Sequence, residues 1–519
     1  MTKKFNITGT CYAEDHYMAD VSSKLKKIKE MVDYGDYFII NRPRQYGKTT
    51  TLNTISYILN ASNDYLAFKI SFEGIGDIVF EDEKLFASTF FKLLSRRSEI
   101  KYPKLMKWLA ERALTIQSFD DLSSAIIELV KKAKKKVVVL IDEVDKSSNN
   151  QLFISFLAML RNLYLDKKTT PTFHSVILAG VHDVKSLKAK IRPDEEQKFN
   201  SPWNIAAEFK VDMNLQPFEI KTMLDDYVTE KAVKMDTAAM AEDLFYYTSG
   251  YPFLVSKLCK MIDEDVLLTK EIKEWTAEDL EWQVKQLVLE QNTNFESVTK
   301  NLENYPDLYQ IVYGMLIDGE YQDYNLNDPI INLGIIFGIF KNGRGIRIHN
   351  KIYEELIYHY MTSKAKTNFL FSHYTSNKNF KLANNVLNME LILQKFQAFM
   401  HEQYSKHDRD FLERHSRLVY LAFMKPILNG YGYDFKEAQI SQERRLDVTI
   451  TFYQYKYVAE LKIWRGQALH EEGLDQLSDY LDRLKLTEGY LIIFDHKEIK
   501  TWESKWIEHK GKRVFAIWV

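Results

Sequence analysis

The stretch Tyr37-Phe38-Ile39-Ile40-Asn41-Arg42-Pro43-Arg44-Gln45-Tyr46-Gly47-Lys48-Thr49-Thr50 passes from an apolar strand-like run into a short loop, then into the helical pattern of Leu52-Asn53-Thr54-Ile55. The loop has the spacing G-x-x-x-x-G-K-[ST], except that Arg42 stands where the first glycine is expected. Main-chain N–H groups of a loop winding into a helix N-terminus can hold a phosphate. Lys48 adds a point charge toward the β and γ oxygens, Thr49 offers a hydroxyl to Mg²⁺, and Gly47 permits close backbone approach. An isolated G-K-T also arises by chance, so a second element has to decide.

That element is Val137-Val138-Val139-Leu140-Ile141, an apolar run without polar alternation, as expected of a strand covered by helices on both faces. It ends in Asp142-Glu143, placing two carboxylates at the C-terminal edge of a parallel sheet, where ligands of open α/β sheets bind. Asp142 is read as a Mg²⁺ ligand, direct or through water, and Glu143 as the group that orients and deprotonates an attacking water. Arg44, Gln45, Tyr46 and Thr50 complete the nucleotide-contacting loop. Hydrolysis also needs a charge donor at the γ-phosphate. Arg161 is a candidate, with a plain surface arginine as the alternative, and after the strand Ser175–Ala179 the polar His182 or Asp183 could sense the γ-phosphate, with an ordinary polar loop as the alternative.

Working outward, 519 residues correspond to roughly three to four domains of about 150 residues each, and 45% hydrophobic residues suffices for packed cores. Lys+Arg 70 against Asp+Glu 72 excludes nucleic-acid binding by bulk cationic charge, so any such contact is local. The two cysteines, Cys11 and Cys259, cannot form a disulfide framework or a four-cysteine zinc site, and they suit a reducing, cytoplasmic setting. The start MTKKFNITGT has no apolar core, and Ile330–Phe340 is only about half a bilayer span, so neither a signal peptide nor a membrane anchor is expected. No histidine pair has the spacing of a helical zinc site. The lysine run 131–136 reads as a solvated helix end in preference to a DNA-binding patch.

The fold class expected is α/β multidomain, with boundaries drawn from changes in periodicity. Residues 1–216 form a P-loop NTPase parallel sheet with strands at Tyr37–Asn41, Leu66–Phe72, Val137–Ile141 and Ser175–Ala179. Residues 217–300 read as a helical lid, with helices at Glu219–Lys231 and Tyr251–Asp265. Residues 301–362 show short helices closing on a hairpin, Ile335–Phe340 and Gly345–His349 around Asn342-Gly343, which reads as a winged helix. Residues 363–389 are a polar linker. Residues 390–519 form a C-terminal α/β domain: one long helix, three strands, a helix and a further strand.

In that last domain Asp447 lies in a second strand, and Glu460 and Lys462 lie two apart in a third, so the pair shares one face. If the strands pair as a hairpin, two carboxylates and a lysine meet at one end. Such a set can hold Mg²⁺ or Mn²⁺, activate a water and steady a phosphodiester transition state. Glu413, on the helical stretch Asp410–Met424, is a further candidate ligand, with Glu437 competing for that place, and Gln476 in Gly473–Leu484 is spaced to reach the site. The alternative is an exposed hairpin whose charged face is merely solvated. Tyr453, Tyr455 and Tyr457 alternate on a strand as packing residues.

Two resemblances extend these readings. The loop Arg42–Thr49, Leu140-Ile141-Asp142-Glu143-Val144-Asp145, Ile177-Leu178-Ala179-Gly180-Val181, Ser201–Ala206 and Thr248-Ser249-Gly250-Tyr251-Pro252-Phe253-Leu254 resemble, in order, bacterial AAA-ATPase-like proteins related to archaeal and STAND-type ATPases. The resemblance implies ATP binding despite Arg42, which is usual there, and nucleotide contact by Gly250 and Pro252. It also implies a winged helix coupled to nucleotide state. Read alone, Gly250-Tyr251-Pro252 is a turn opening a helix. Over residues 390–519, the series Glu413, Asp447, Glu460-Leu461-Lys462 and Gln476 resembles the PD-(D/E)XK nuclease superfamily, a restriction-endonuclease-like α/β fold. This implies Asp447 and Glu460 as metal ligands, Lys462 as the water-positioning charge, Gln476 in support, and Glu413 as a further ligand.

The expected activity is that of an ATPase that regulates metal-dependent cleavage of nucleic acid, DNA in preference to RNA, in a chain that can assemble into homo-oligomers. Defence against foreign DNA fits by analogy alone. The alternative is a nucleotide-dependent signalling switch whose C-terminal domain binds a partner or nucleic acid without cutting it.

Overall fold

The computed structural model describes residues 3–96, 102–144, 151–181, 203–266, 270–318, 322–325, 327–343, 345–368, 380, 382, 386–404, 418–424, 427–428, 432–436, 447–464, 467–495 and 502–519. The chain forms two compact units. One comprises residues 1–301, 325–342 and 348–353, and the other residues 302–324, 343–347 and 354–519.

In the first unit, helix α1 (Ser22–Asp33) leads to strand β1 (Tyr37–Asn41), α2 (Lys48–Ala61) and β2 (Tyr65–Ser71). Helices α3 (Glu83–Ser95), α4 (Pro103–Ala113) and α5 (Phe119–Ala133) precede β3 (Lys136–Asp142), and α6 (Gln151–Leu165) precedes β4 (Ser175–Gly180). The four strands are parallel in the order β1-β4-β3-β2. Beyond β1, Ala207 bridges Phe38 in parallel, and the Phe209 ring stacks on Phe38 at 5.9 Å.

Strand alternation sorts the apolar side chains onto two faces. Val137, Val139 and Ile141 pack with Phe68, Phe90 and Phe156 under α3 to α6. Val138 and Leu140 pack with Phe38, Leu52 and Ile55 under α1 and α2. Each fully buried side chain of this kind contributes about 1.5–3 kcal/mol, so β3 is anchored from both sides and holds Asp142 at its end.

Helices Pro217–Lys231, Thr237–Thr248 and Pro252–Met261 follow. The N-terminal arm docks on the first of them through Phe5 and Tyr17 against Tyr227, with Trp275 beside them. Strands β5 (Phe340–Lys341) and β6 (Arg347–Ile348) pair as a short ribbon. The strand expected at Ile335–Phe340 is mostly helix and turn instead. Asp328 caps a helix over Pro329–Ile336 and Pro329 occupies its first turn, so the apolar run coils and only its last residue is extended.

The second unit contains a six-stranded sheet ordered β11-β12-β10-β9-β8-β7. Its strands are β7 (Gly432–Lys436), β8 (Asp447–Phe452), β9 (Tyr455–Ile463), β10 (Glu488–Phe494), β11 (Ser504–His509) and β12 (Lys512–Trp518). β7, β8 and β9 pair antiparallel, β9, β10 and β12 run parallel, and β11 returns antiparallel along β12. Helix Gln467–Arg483 lays Leu474, Leu477 and Leu481 on Val458, Leu491, Ile493 and Val514. The sequence pattern predicts one strand after this helix, and there are three. The overlooked signal is Lys510-Gly511, both at positive φ, the two-residue turn that closes a β-hairpin. Among the described residues no helix is long and apolar enough to cross a membrane.

Candidate nucleotide site and candidate metal centre

The loop after β1 is shaped by two left-handed residues, Gln45 at φ 58° and Gly47 at φ 75°. Gly47 opens α2 with no side-chain cap, whereas Asp82 caps α3 and Ser118 caps α5. Gly47, having no side chain, gives the first turn of α2 no cap of the kind its neighbours have, at the end where the helix dipole is positive. That arrangement fits an anion.

Lys48 is buried, and its Nζ donates to the carbonyls of Arg42 (2.7 Å) and Pro43 (2.8 Å). Arg42, in the place of the first glycine, turns its side chain away from the loop. The guanidinium donates to Val211 O at 2.9 Å and lies over the Phe209 ring, and burial lowers its pKa. Arg44 and Gln45 are exposed, and Thr49 is partly buried at the start of α2. The Thr50 hydroxyl accepts the Cys11 N–H at 3.2 Å, so the N-terminal arm crosses the head of α2.

Asp142 is 2% exposed, with Lys69 Nζ at 3.7 Å, and its Oδ1 accepts the N–H of Glu143 at 3.1 Å. Glu143 itself is left-handed, at φ 55°. β4 separates the loop strand from the Asp142 strand, so two strand spacings put about 10 Å between them. This is room for a polyphosphate and its cation, for which Thr49 and Asp142 could supply oxygen donors. Arg161 is half-buried on α6, and His182 and Asp183 lie outside the described residues.

Beneath the loop lies a connected web that the sequence pattern does not announce. Tyr251 Oη donates to Arg44 O at 2.6 Å, and its ring meets Tyr46 edge-on at 4.6 Å. Asn294 Nδ2 reaches Tyr251 Oη at 3.4 Å, and Asn294 Oδ1 accepts the Tyr353 hydroxyl at 2.7 Å. Tyr46 Oη bonds Asn214 Oδ1 and lies 2.9 Å from His349 Nε2.

Burial, aided by Lys341, pushes the His349 pKa down to about 3, so its imidazole is neutral. The donors then follow in sequence. Asn350 Oδ1 accepts the Tyr353 N–H, so its Nδ2 faces His349 Nδ1 at 3.3 Å as donor. His349 Nε2–H donates to Tyr46, and Tyr46 donates to Asn214. Burial pushes Tyr251 up to about 12, keeping it a donor as well.

Two glycines seat this web. A Cβ at Gly250, φ 73°, would fall 2.0 Å from Leu215 O, and one at Gly338, φ 72°, would fall 2.5 Å from Pro43 Cγ. Pro252 begins the helix after Gly250, in the first-turn position where its missing N–H is harmless.

In the second unit, Asp447 stands directly opposite Glu460 in the β8–β9 register. The backbone of Asp447 is described, and Glu413 lies outside the described residues. Glu460 is fully buried on β9, its Oε1 3.0 Å from Lys462 Nζ, while Oε2 meets no donor among the described residues. Lys462 Nζ also donates to Gln476 Oε1 at 2.7 Å, and Gln476 is braced by Glu472 at 3.0 Å. A buried carboxylate oxygen without a donor costs about 1–3 kcal/mol or more, which a bound cation would offset. This donor set fits a hard divalent ion. Among the described residues no three His, Cys, Asp or Glu side chains gather into a metal set.

A single-residue variant of Thermotoga maritima RuvB is 14% identical, covering 68% of this chain and 99% of that one at a TM-score of 0.35. The Aeropyrum pernix ORC2 protein, as ADPNP-ADP complexes, is 13% identical, covering 70% and 98% at a TM-score of 0.38. No curated protein matches the chain. Residues 9–308, more than half the chain, match the AAA-like domain, and they span the phosphate loop, Asp142 and the first turns of the web. The chain belongs to the AAA-like domain family.

Proposed function

We propose that the chain is an ATP-regulated, metal-dependent nuclease. The observation that carries the catalytic half is Glu460: buried, one oxygen without a donor among the described residues, in register with Asp447, and sharing a strand face with a lysine that Gln476 holds in place. In this reading Asp447 and Glu460 hold Mg²⁺ or Mn²⁺, with Glu413 as a further ligand. Lys462 aligns the attacking water and steadies the charge that grows on the phosphoryl oxygens, and Gln476 fixes its direction. The bound ion supplies a lower water pKa and Lewis-acid polarisation of the phosphate. The P–O bond to the leaving sugar oxygen breaks as the water oxygen bonds to phosphorus, the water's proton passing to solvent and the sugar oxygen taking one from solvent.

In the first unit the leading amides of α2 and Gly47 hold the β-phosphate, Lys48 the β/γ oxygens, and Thr49 with Asp142 the Mg²⁺. Arg44, Gln45, Tyr46 and Thr50 flank the phosphates, and Glu143 orients the attacking water. Lys48 Nζ, which donates to the Arg42 and Pro43 carbonyls, would turn toward the phosphate, and a loop shift coupled to that turn is how ATP would be sensed. Gly250 and Pro252 act by seating Tyr251 against Arg44.

The test is cleavage of plasmid, linear and single-stranded DNA and of RNA with Mg²⁺ or Mn²⁺, with and without ATP. Glu460→Gln and Lys462→Ala should each lose at least about 100-fold in rate, the upper range for disturbing the surroundings of a metal site. Lys48→Ala should lose ATP binding and any ATP response. Undiminished cleavage by Glu460→Gln would sink the nuclease assignment. Absence of cleavage by the parent on every substrate would leave a nucleotide-dependent switch.

A further inference from the structure

In a parallel sheet each crossover helix returns the chain to the edge where the next strand begins. The last turn of α5 and the residues after α6 therefore lie at the edge of the four-stranded sheet opposite the phosphate loop. The sequence puts lysines at all of these places. Lys131 and Lys132 end α5, Lys134 and Lys135 form the turn, and Lys136 begins β3. Lys167 and Lys168 follow α6.

Contacts gather these groups into one field. Lys136 and Lys29 both lie over the Tyr65 ring, at 5.4 and 5.6 Å. Lys132 lies over Trp108, Lys135 over Tyr102 and Lys167 over Tyr164. His174 is held below its usual pKa first by burial and then by the charges of Lys136 and Lys167, which places both ammonium groups around one ring.

Among the described residues, none of the seven lysines from 131 to 168 named above is ion-paired. Two nearby acids are paired with other cations, Asp33 with Lys29 at 2.8 Å and Glu128 with Arg112 at 3.2 Å, although Asp33 also feels the charge of Lys136. The helix dipole accounts for Lys131 and Lys132. It does not account for cations at the start of β3 or beyond α6.

We propose that this edge binds the phosphate backbone of nucleic acid. Ammonium heads that lie over aromatic faces, without an ion pair among the described residues, form a row suited to phosphates and indifferent to sequence. The choice of nucleic acid over other polyanions rests on the nuclease reading, but the residues are separate from Glu460 and Lys462. The two readings therefore fail separately.

The experiment measures binding by the full chain, in EDTA to prevent cleavage, to a short fluorescent duplex DNA across a salt series. The combined variant Lys131→Gln, Lys132→Gln, Lys135→Gln and Lys167→Gln should bind at least about 10-fold more weakly. Its slope of log affinity against log salt should be shallower by about 3 to 4, one counterion for each lost phosphate contact. The corresponding four Lys→Arg changes should restore both quantities. Equal thermal unfolding and ATP binding in all three proteins separates a lost contact from a lost fold. An unchanged affinity and slope in the Gln variant overturns the proposal, as does a parent that binds phosphatidylserine vesicles but no nucleic acid.

Discussion

The two candidate sites are built on opposite principles. At the phosphate loop, polar groups are already answered by protein: Lys48 by two carbonyls, Arg44 O by Tyr251, and Tyr46 by Asn214 and His349. At β9 the buried Glu460 keeps an oxygen that no described donor meets. The first site can stand closed without its ligand, its loop held by internal bonds. Among the described residues the second leaves a buried carboxylate oxygen that a cation could take. In the function proposed above, ligand regulation would draw on the former and metal dependence on the latter.

The contrast can be broken in three places. Gly250→Ala puts a methyl on the Leu215 carbonyl at a left-handed backbone position. It should cost about 3–4 kcal/mol in denaturant unfolding and weaken ATP binding with it. A loss under about 1 kcal/mol would mean that the packing under the loop is loose.

Mn²⁺ should raise the parent's unfolding free energy by about 2.7 kcal/mol at a hundredfold excess over its Kd. Glu460→Gln should abolish that gain while matching or exceeding the metal-free parent, because Lys462 keeps Gln476. A fall of several kcal/mol without metal would show instead that the Glu460–Lys462 pair is structural.

His349, neutral in the fold with a pKa near 3, is protonated in the unfolded chain below its ordinary value of 6.5. The unfolded state then binds more protons, so stability falls as pH drops from about 6.5 toward 3, by about 1.4 kcal/mol per unit for this group. His349→Gln should flatten that part of the pH–stability profile. A slope identical to the parent's would remove His349 from the web.

Much of the first unit was legible because its signals are local. An unbroken apolar β3 and a Gly-Lys-Thr opening a helix are read along the chain, and the observed strands end within one residue of the expected positions. The insertion of β4 between β1 and β3 has no local signal, since pairing order depends on how the helices pack. Asn294, His349 and Tyr353 were missed for the same reason. Each looks like an ordinary polar or aromatic residue until the fold brings it to a loop some 250 to 300 positions earlier. In the second unit the alternation of Glu460 and Lys462 revealed their shared face, but not that the face is buried. Charged residues at alternate positions read as solvent-facing, and burial comes from helix Gln467–Arg483.

The chain passes between its two units five times, after residues 301, 324, 342, 347 and 353. No single scission separates them. A protein ended at residue 308, where the family match stops, would lack Gly338, His349 and Tyr353, leaving Pro43 uncovered and Tyr46 and Asn294 each short of a hydrogen bond. The heritable module and the foldable module are therefore different lengths of the same chain, and the shorter one should be recovered from cells chiefly as aggregate.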